Sequence, residues 1–319
     1  MRVVNAGNWF DDEGMNYRTY AEFLPAGYLD GVRAPASTWW RWRDHRVHVA
    51  RAVVPTAAVR VLVIHGGGGY SGALWPFAAV AAGQAVDVLA PDLPLYGDTE
   101  VADPAGVRYG DWVDLLADLV RAERAADPRP LIAFGASMGG MLAYEIAART
   151  GAVDAVVATC LLDMADPAAR AAATRYAWLG RPAPAVLNAA EPLFGRVRIP
   201  IRWVADMNKM SRDRRLSRLC ASDPRGGGVS VPLGFLSSWM AFVHTRPEHY
   251  TGAPVTLVAP AADAWTPPEL SIGFLQRITA RAEVVLLERC GHFPIEEPGL
   301  TQLRDAMATV LSRVGAPTD

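Results

Sequence analysis

Apolar and polar positions change rhythm three times along the chain. From residue 38, TWWRWRDHRVHVARAVV alternates apolar and polar residues on both sides of Arg43-Asp44-His45, which predicts a β-hairpin. Beyond it, short apolar runs take turns with segments of helical periodicity. VRVLVIH, VDVLAPD, PLIAFGAS and VDAVVATCLL read as strands. ALWPFAAVAAG, YGDWVDLLADLVRAERAA and MGGMLAYEIAART read as the helices between them. Pro76 fits only near the start of the first helix, and in the second Val113, Leu116, Leu119 and Val120 fall on one face. Apolar strands separated by helices predict an α/β fold, with a mostly parallel central sheet and helices on both faces.

After Asp163 this rhythm lapses. PAARAAATRYAWLG, SRDRRLSRLCAS and PLGFLSSWMAF have helical character, with joints such as GRPAPA and DPRGGG between them. Alternation resumes at PVTLVAP and continues through ELSIGFLQRITAR, AEVVLLE and GLTQLRDAMATVLSRV. The expected division is an N-terminal extension over 1–37, a core over 38–163 and 251–319, and a helical cap over 164–250. The cap is inserted after the strand ending near Leu162.

Composition narrows the possibilities. At 319 residues, with 51% apolar and 20% charged, the chain can bury a large core. A net charge of −2 speaks against a nucleic-acid partner, which calls for a basic face. No apolar stretch is long enough for a signal peptide or a membrane span, so the expected location is cytoplasmic, without integral membrane association. Cys160, Cys220 and Cys290 form neither disulfide nor zinc spacing, and His244 and His249, with Glu248 beside them, have no further ligand at suitable spacing; no metal or other cofactor is expected.

VLVIHGGGGYSG, from Val61 to Gly72, admits two chemistries. As Gly67-x-Gly69-x-x-Gly72 it fits a dinucleotide fingerprint, with Asp92 at the next strand end as the acid. As His65-Gly66-Gly67-Gly68 it fits an oxyanion loop. Elsewhere, Gly135-Ala136-Ser137-Met138-Gly139 stands between an apolar strand and a helix, the context of a nucleophile elbow. Such a serine needs a base and an orienting carboxylate. His292, in ERCGHFPIEEP past the last strand, is the candidate base. Asp263 follows the strand after the insertion, 29 residues before His292, and is the favoured acid; Asp163 is the alternative, with helix N-cap as its bland role. The hydrolytic reading uses the glycines and all three side chains, whereas the dinucleotide reading leaves the three as coincidences.

HGGGG, PDLPLYG, GASMGG, PVTLVAPAADAWTP and GHFPIEEP, in that order from about residue 38 to 313, make the chain resemble an α/β-hydrolase. It is most similar to capped serine hydrolases such as lysophospholipases and monoacylglycerol lipases. The resemblance implies Ser137 as nucleophile, His292 as base and Asp263 as acid, with Gly67 or Gly68 joining Met138 as oxyanion donors. It implies cleavage of a small-molecule carboxylic ester or thioester through an acyl-enzyme. Acyl transfer, as in a cyclising thioesterase, and a non-hydrolytic binding protein are the alternatives. The insertion carries many large apolar residues expected on its inner side, among them Trp178, Leu179, Trp203, Leu236 and Met240. Of these residues and the acid loop, Met207, Met210, Phe235, Trp239 and Trp265 are the expected walls of an apolar acyl pocket.

Overall fold

A computed structural model describes residues 17–28, 33–83 and 85–316. A short helix α1 (Tyr17–Ala21) precedes the hairpin of β1 (Ala36–Trp42) and β2 (His45–Ala52). Then come β3 (Arg60–Ile64), α2 (Ser71–Ala82), β4 (Asp87–Pro91), α3 (Tyr109–Ala126), β5 (Leu131–Gly135), α4 (Met138–Thr150) and β6 (Ala155–Ala158). The chain next leaves the sheet for α5 (Pro167–Ala173), α6 (Ala177–Gly180), α7 (Ala183–Phe194), β7 (Arg198–Pro200), α8 (Ile201–Val204), α9 (Arg214–Ser222), β8 (Ser230–Pro232) and α10 (Leu233–Ala241). It returns through β9 (Val255–Pro260), α11 (Pro268–Leu275), β10 (Ala282–Leu287) and α12 (Gly299–Gly315).

Eight strands form one sheet in the order β1-β2-β4-β3-β5-β6-β9-β10. The pairs β1/β2 and β2/β4 are antiparallel and the others parallel. Every residue of β3, β4, β5, β6 and β9 is buried, which explains continuous apolar runs where a half-exposed strand would alternate. The apolar face expected on α3 packs into the core, with Val113, Leu116, Leu119 and Val120 at most 1% exposed. The strand order reverses between β3 and β5, whose C-terminal ends open a crevice. The loops after β3, β5, β9 and β10 carry the glycine run, Ser137, Asp263 and His292.

Two local readings differ from expectation. The joint GRPAPA runs into α7, because Pro182 and Pro184 occupy the cap and first turn, where a missing N–H breaks no helical bond. The helix containing Pro76 starts at Ser71, two residues earlier than the pattern indicates, so Pro76 lies deeper inside it. The hairpin also starts earlier, at Ala36, within the segment assigned to the extension. Part of that extension is built into the molecule. Tyr20 is 1% exposed and donates to Asp223 Oδ2 at 2.7 Å, which also accepts from Tyr70 at 3.0 Å.

Candidate active site

Ser137 stands between β5 and α4 with φ 55° and ψ −124°, a region a non-glycine residue occupies only under constraint. The constraint is steric. A Cβ on Gly135 would lie 2.1 Å from Gly139 O, and one on Gly139 would lie 2.1 Å from Ile64 O. Only glycine lets the turn press this closely against β3. Ser137 N–H donates to Thr159 Oγ1 at 2.9 Å, fixing the strained residue to the end of β6.

His292 bridges to Ser137 from the loop after β10. Its Nε2 is 2.9 Å from Ser137 Oγ, and its Nδ1 is 2.7 Å from Asp263 Oδ2. Asp263 is held by further donors: Trp265 N–H (2.8 Å) and Thr266 N–H (3.0 Å) reach Oδ1, and Thr266 Oγ1 (2.8 Å) reaches Oδ2. Burial alone pushes the Asp263 carboxyl up. The charge of His292 and the hydrogen bonds from His292 and Thr266 outweigh it and hold the carboxyl below its ordinary value. An ionised Asp263 makes Nδ1 the protonated nitrogen and leaves Nε2 with a lone pair facing Ser137. Asp163 is not part of this array. Its Oδ1 accepts from Ala165 N–H at 2.9 Å in a local turn. The N-cap role expected for it belongs to Asp166, which accepts from Ala168 N–H.

The glycine loop presses on the elbow from the other side. A Cβ on Gly66 would meet Ala136 O at 2.9 Å, and Met138 N and Ser137 Cβ at 3.0 Å. His65 anchors the loop from below: Nδ1–H donates to Gly66 O at 2.8 Å, and Nε2 accepts from Leu93 N–H at 2.9 Å. Burial lowers the pKa of this imidazole, which favours the neutral form that both contacts require. Asp92, the acid of the dinucleotide reading, has no free face. It is fully buried, and it accepts from Ser71 N–H (2.7 Å) and Asp98 N–H (2.9 Å) and pairs with His48 Nδ1 (2.8 Å). These contacts tie the glycine loop to the hairpin instead of to a ribose. His48, Asp92 and Asp98 bring their ligand atoms within 4.8 Å, but the atoms of Asp92 are already engaged by donors, so the cluster does not fit a metal. His244 is buried and His249 exposed, and among the described residues neither belongs to a group of three potential metal ligands.

Two cavities meet at Ser137 and Gly67. One has largely apolar walls, among them Met141, Ile201, Phe235, Leu236, Trp239 and Trp265. The other runs past His292 between Phe77, Phe293 and Met210. Of the expected acyl-pocket residues, Phe235, Trp239 and Trp265 line the first cavity and Met210 the second. Met207 lines neither. Its Cε lies where a Cβ on Gly68 or Gly227 would touch it, so it packs onto the glycine loop. Trp178 and Trp203, expected on the inner side, are 74% and 64% exposed: the short helices α6 and α8 turn them outward. Cys160 borders the first cavity, and burial pushes its thiol up to about 11, out of nucleophilic range near neutrality.

Residue patterns alone did not point to Thr159, Thr266 or Tyr96, nor to the anchoring role of His65. Tyr96 is 1% exposed, its hydroxyl has no hydrogen-bond partner among the described residues, and it faces the Gly68 backbone beside the first cavity.

A switch-point crevice holding a strained serine after β5, a carboxylate after β9 and a histidine after β10 is the architecture of an α/β-hydrolase. The sequence profile of the Alpha/beta hydrolase family matches residues 61–301, and the chain belongs to that family. Among solved structures it is similar to a monoglyceride lipase from Saccharomyces cerevisiae solved with a substrate analogue. The TM-score is 0.73 at 16% identity, over 92% of this chain and 100% of that one. The monoacylglycerol lipase of Paleococcus ferrophilus gives 0.66 at 18%, over 84% and 98%, and a thermophilic esterase from Thermogutta terrifontis gives 0.58 at 17%, over 89% and 100%. A search of curated proteins by sequence gave no match.

Proposed function

We propose that the protein is a serine hydrolase that cleaves a carboxylic ester or thioester carrying an apolar acyl group. The observation that carries this reading is the position of His292, 2.9 Å from Ser137 Oγ and 2.7 Å from Asp263 Oδ2. His292 Nε2 takes the proton as Ser137 Oγ attacks the carbonyl carbon, and Asp263 stabilises the imidazolium that forms. The same nitrogen returns the proton to the departing alcohol or thiol. Water, activated by His292, then resolves the acyl-enzyme.

The developing oxyanion needs two N–H donors. Met138 N–H begins α4 and so has no partner within its helix. Gly67 borders both cavities, and we assign it as the second donor. Gly68 is less suited, because its backbone faces Tyr96, and Ser137 N–H is committed to Thr159. In this reading residues 164–250 form a cap, since Ile201, Phe235 and Trp239 contribute walls of the cavity at Ser137. Those walls are apolar, which suits an acyl chain better than a charged one.

Fluorophosphonate labelling and turnover of p-nitrophenyl esters and acyl thioesters test the proposal. We expect one label per chain, on Ser137, and a loss of about three to six orders of magnitude in turnover for Ser137→Ala. A labelled protein that turns over none of these substrates in water, but acylates an added alcohol, assigns acyl transfer instead. Undiminished turnover by Ser137→Ala refutes the mechanism.

A further inference from the structure

Eight of the thirteen large apolar side chains exposed on the described surface fall between Tyr176 and Trp203. Helix α7 runs twelve residues and buries none of them. Trp178 is 74% exposed, Leu193 82% and Trp203 64%. The segments are locked together: Arg175 N–H donates to Val204 O at 2.6 Å, and the Arg175 guanidinium donates to Arg202 O at 2.9 Å. As a result Tyr176, Leu179, Val186 and Trp203 border one open groove of about 220 Å³. Val186 and Leu193, seven residues apart on α7, share a helix face.

The charge on this segment is as uneven as its polarity. Residues 167–204 hold six arginines (170, 175, 181, 196, 198 and 202) and one carboxylate, Glu191, a balance of +5 in a chain of −2. Glu191 pairs with Arg108 and Arg196 with Asp103. Arg175, Arg181, Arg198 and Arg202 are exposed and form no ion pair with another described residue; Arg175 donates to Arg202 O and Arg198 to Ser230 O, both backbone carbonyls. Exposed aromatic and aliphatic side chains with unpaired arginines between them fit the boundary of an anionic bilayer. There an indole sits among headgroups and a guanidinium meets phosphate.

We propose that this outer face docks onto the surface of a bilayer containing anionic lipid. Trp178, Trp203 and Leu193 enter the headgroup boundary, and Arg181 and Arg202 meet lipid phosphates, joined by the remaining N–H groups of Arg175 and Arg198. An acidic protein partner satisfies the arginines but leaves the separate apolar tips of α6, α7 and α8 unaccounted for. Docking goes beyond the hydrolase reading; its purpose rests on that reading. Val204 and Leu236 line both the outer groove and the cavity at Ser137, so two side chains separate the face from the site. An ester leaving the bilayer by the groove has that wall to pass.

The test is co-sedimentation of full-length Ser137→Ala protein with phosphatidylcholine vesicles, with and without phosphatidylglycerol. Binding is expected to require phosphatidylglycerol and to weaken with salt. It should fall roughly fivefold for each of Arg181→Gln and Arg202→Gln, and by at least about tenfold for Trp178→Ala combined with Trp203→Ala. In the wild-type background these variants should keep wild-type turnover of a soluble short-chain ester, since none lines the cavity at Ser137. No binding to anionic vesicles at low salt overturns the proposal, as does binding indifferent to all four substitutions. A concentration-dependent dimer that the same substitutions abolish, without vesicle binding, assigns the face to a second copy. Failure of the hydrolase reading shows separately, as an inactive wild type that still sediments with vesicles.

Discussion

Replacing Asp263 by asparagine changes one atom, and the structure dictates where the new NH2 goes. Four donors surround the carboxylate. Trp265 N–H and Thr266 N–H converge on Oδ1, while Thr266 Oγ1 and His292 Nδ1 reach Oδ2. An amide whose NH2 replaces Oδ1 faces two buried N–H groups, and each lost bond costs about 1–3 kcal/mol. With the NH2 at the Oδ2 position, the Thr266 hydroxyl can rotate to accept, and only His292 must respond. It does so by moving its proton from Nδ1 to Nε2 and accepting at Nδ1. The imidazole then presents an N–H to Ser137 where the reaction needs a lone pair. We therefore expect kcat for a p-nitrophenyl ester to fall by roughly two to four orders of magnitude, about 3–5 kcal/mol of barrier, with KM little changed. Asp163→Asn is the control: the hydrogen bond its side chain accepts from Ala165 N–H is equally available to an amide oxygen, so activity should stay within about twofold. Asp263→Asn retaining more than a tenth of wild-type kcat, or Asp163→Asn losing more than Asp263→Asn, refutes the argument.

Other outcomes follow from the same contacts. Along p-nitrophenyl esters from acetate to hexanoate, kcat/KM should rise roughly threefold or more per carbon at first, because each methylene entering the apolar cavity gains up to about 0.8 kcal/mol; a flat series argues for a small or polar acyl group. Glu145, on the helix that begins at Ser137, is pushed up by burial but brought down to about 2 by His244, Thr245 N–H and Arg149. Its folded value lies below that of an unfolded glutamate near about 4.3, so it contributes stability above that pH, at most about 3 kcal/mol, and loses it as pH falls toward 2. In urea melts the deficit of Glu145→Gln should therefore shrink between neutral pH and pH 3. Tyr20→Phe removes one of two hydroxyls from the buried Asp223 carboxylate and should lower unfolding stability by about 1–3 kcal/mol, while Tyr17→Phe, from the same short helix, should change little.

The architecture was legible because its strands are buried on both faces and so appear as unbroken apolar runs. Gly135 and Gly139, which bracket Ser137, were legible for a steric reason, since a Cβ on the first would lie 2.1 Å from Gly139 O and one on the second 2.1 Å from Ile64 O. Spacing could rank Asp263 above Asp163 but could not separate them, because both follow strands of the same sheet. Only the parallel pairing of β9 with β10 puts one of them beside His292. Long-range partners left no mark in the pattern: Tyr20 and Asp223 are 203 residues apart, and Ser137 and Thr159 meet across neighbouring strands. Inside and outside were hardest to read in the excursion. Helices of four residues, such as α6 and α8, are too short for periodicity to reveal a face, so Trp178 and Trp203 were expected inside.

The pairing of β6 with β9 has a consequence for integrity. Val157 lies opposite Thr256 in a parallel ladder, although the whole excursion lies between them in the chain. Ser137 belongs to the segment before that excursion, and Asp263 and His292 to the segment after it. A proteolytic nick at the exposed turn around Pro182 would cut the only covalent thread joining them there. It would leave the ladder, the His292–Ser137 contact and the packing of α11 and α12 in place. Two fragments made separately, one ending and one beginning at such a nick, are therefore expected to reconstitute one molecule, which recovery of ester turnover on mixing them would check. The halves of the site are joined by the sheet more than by the peptide chain.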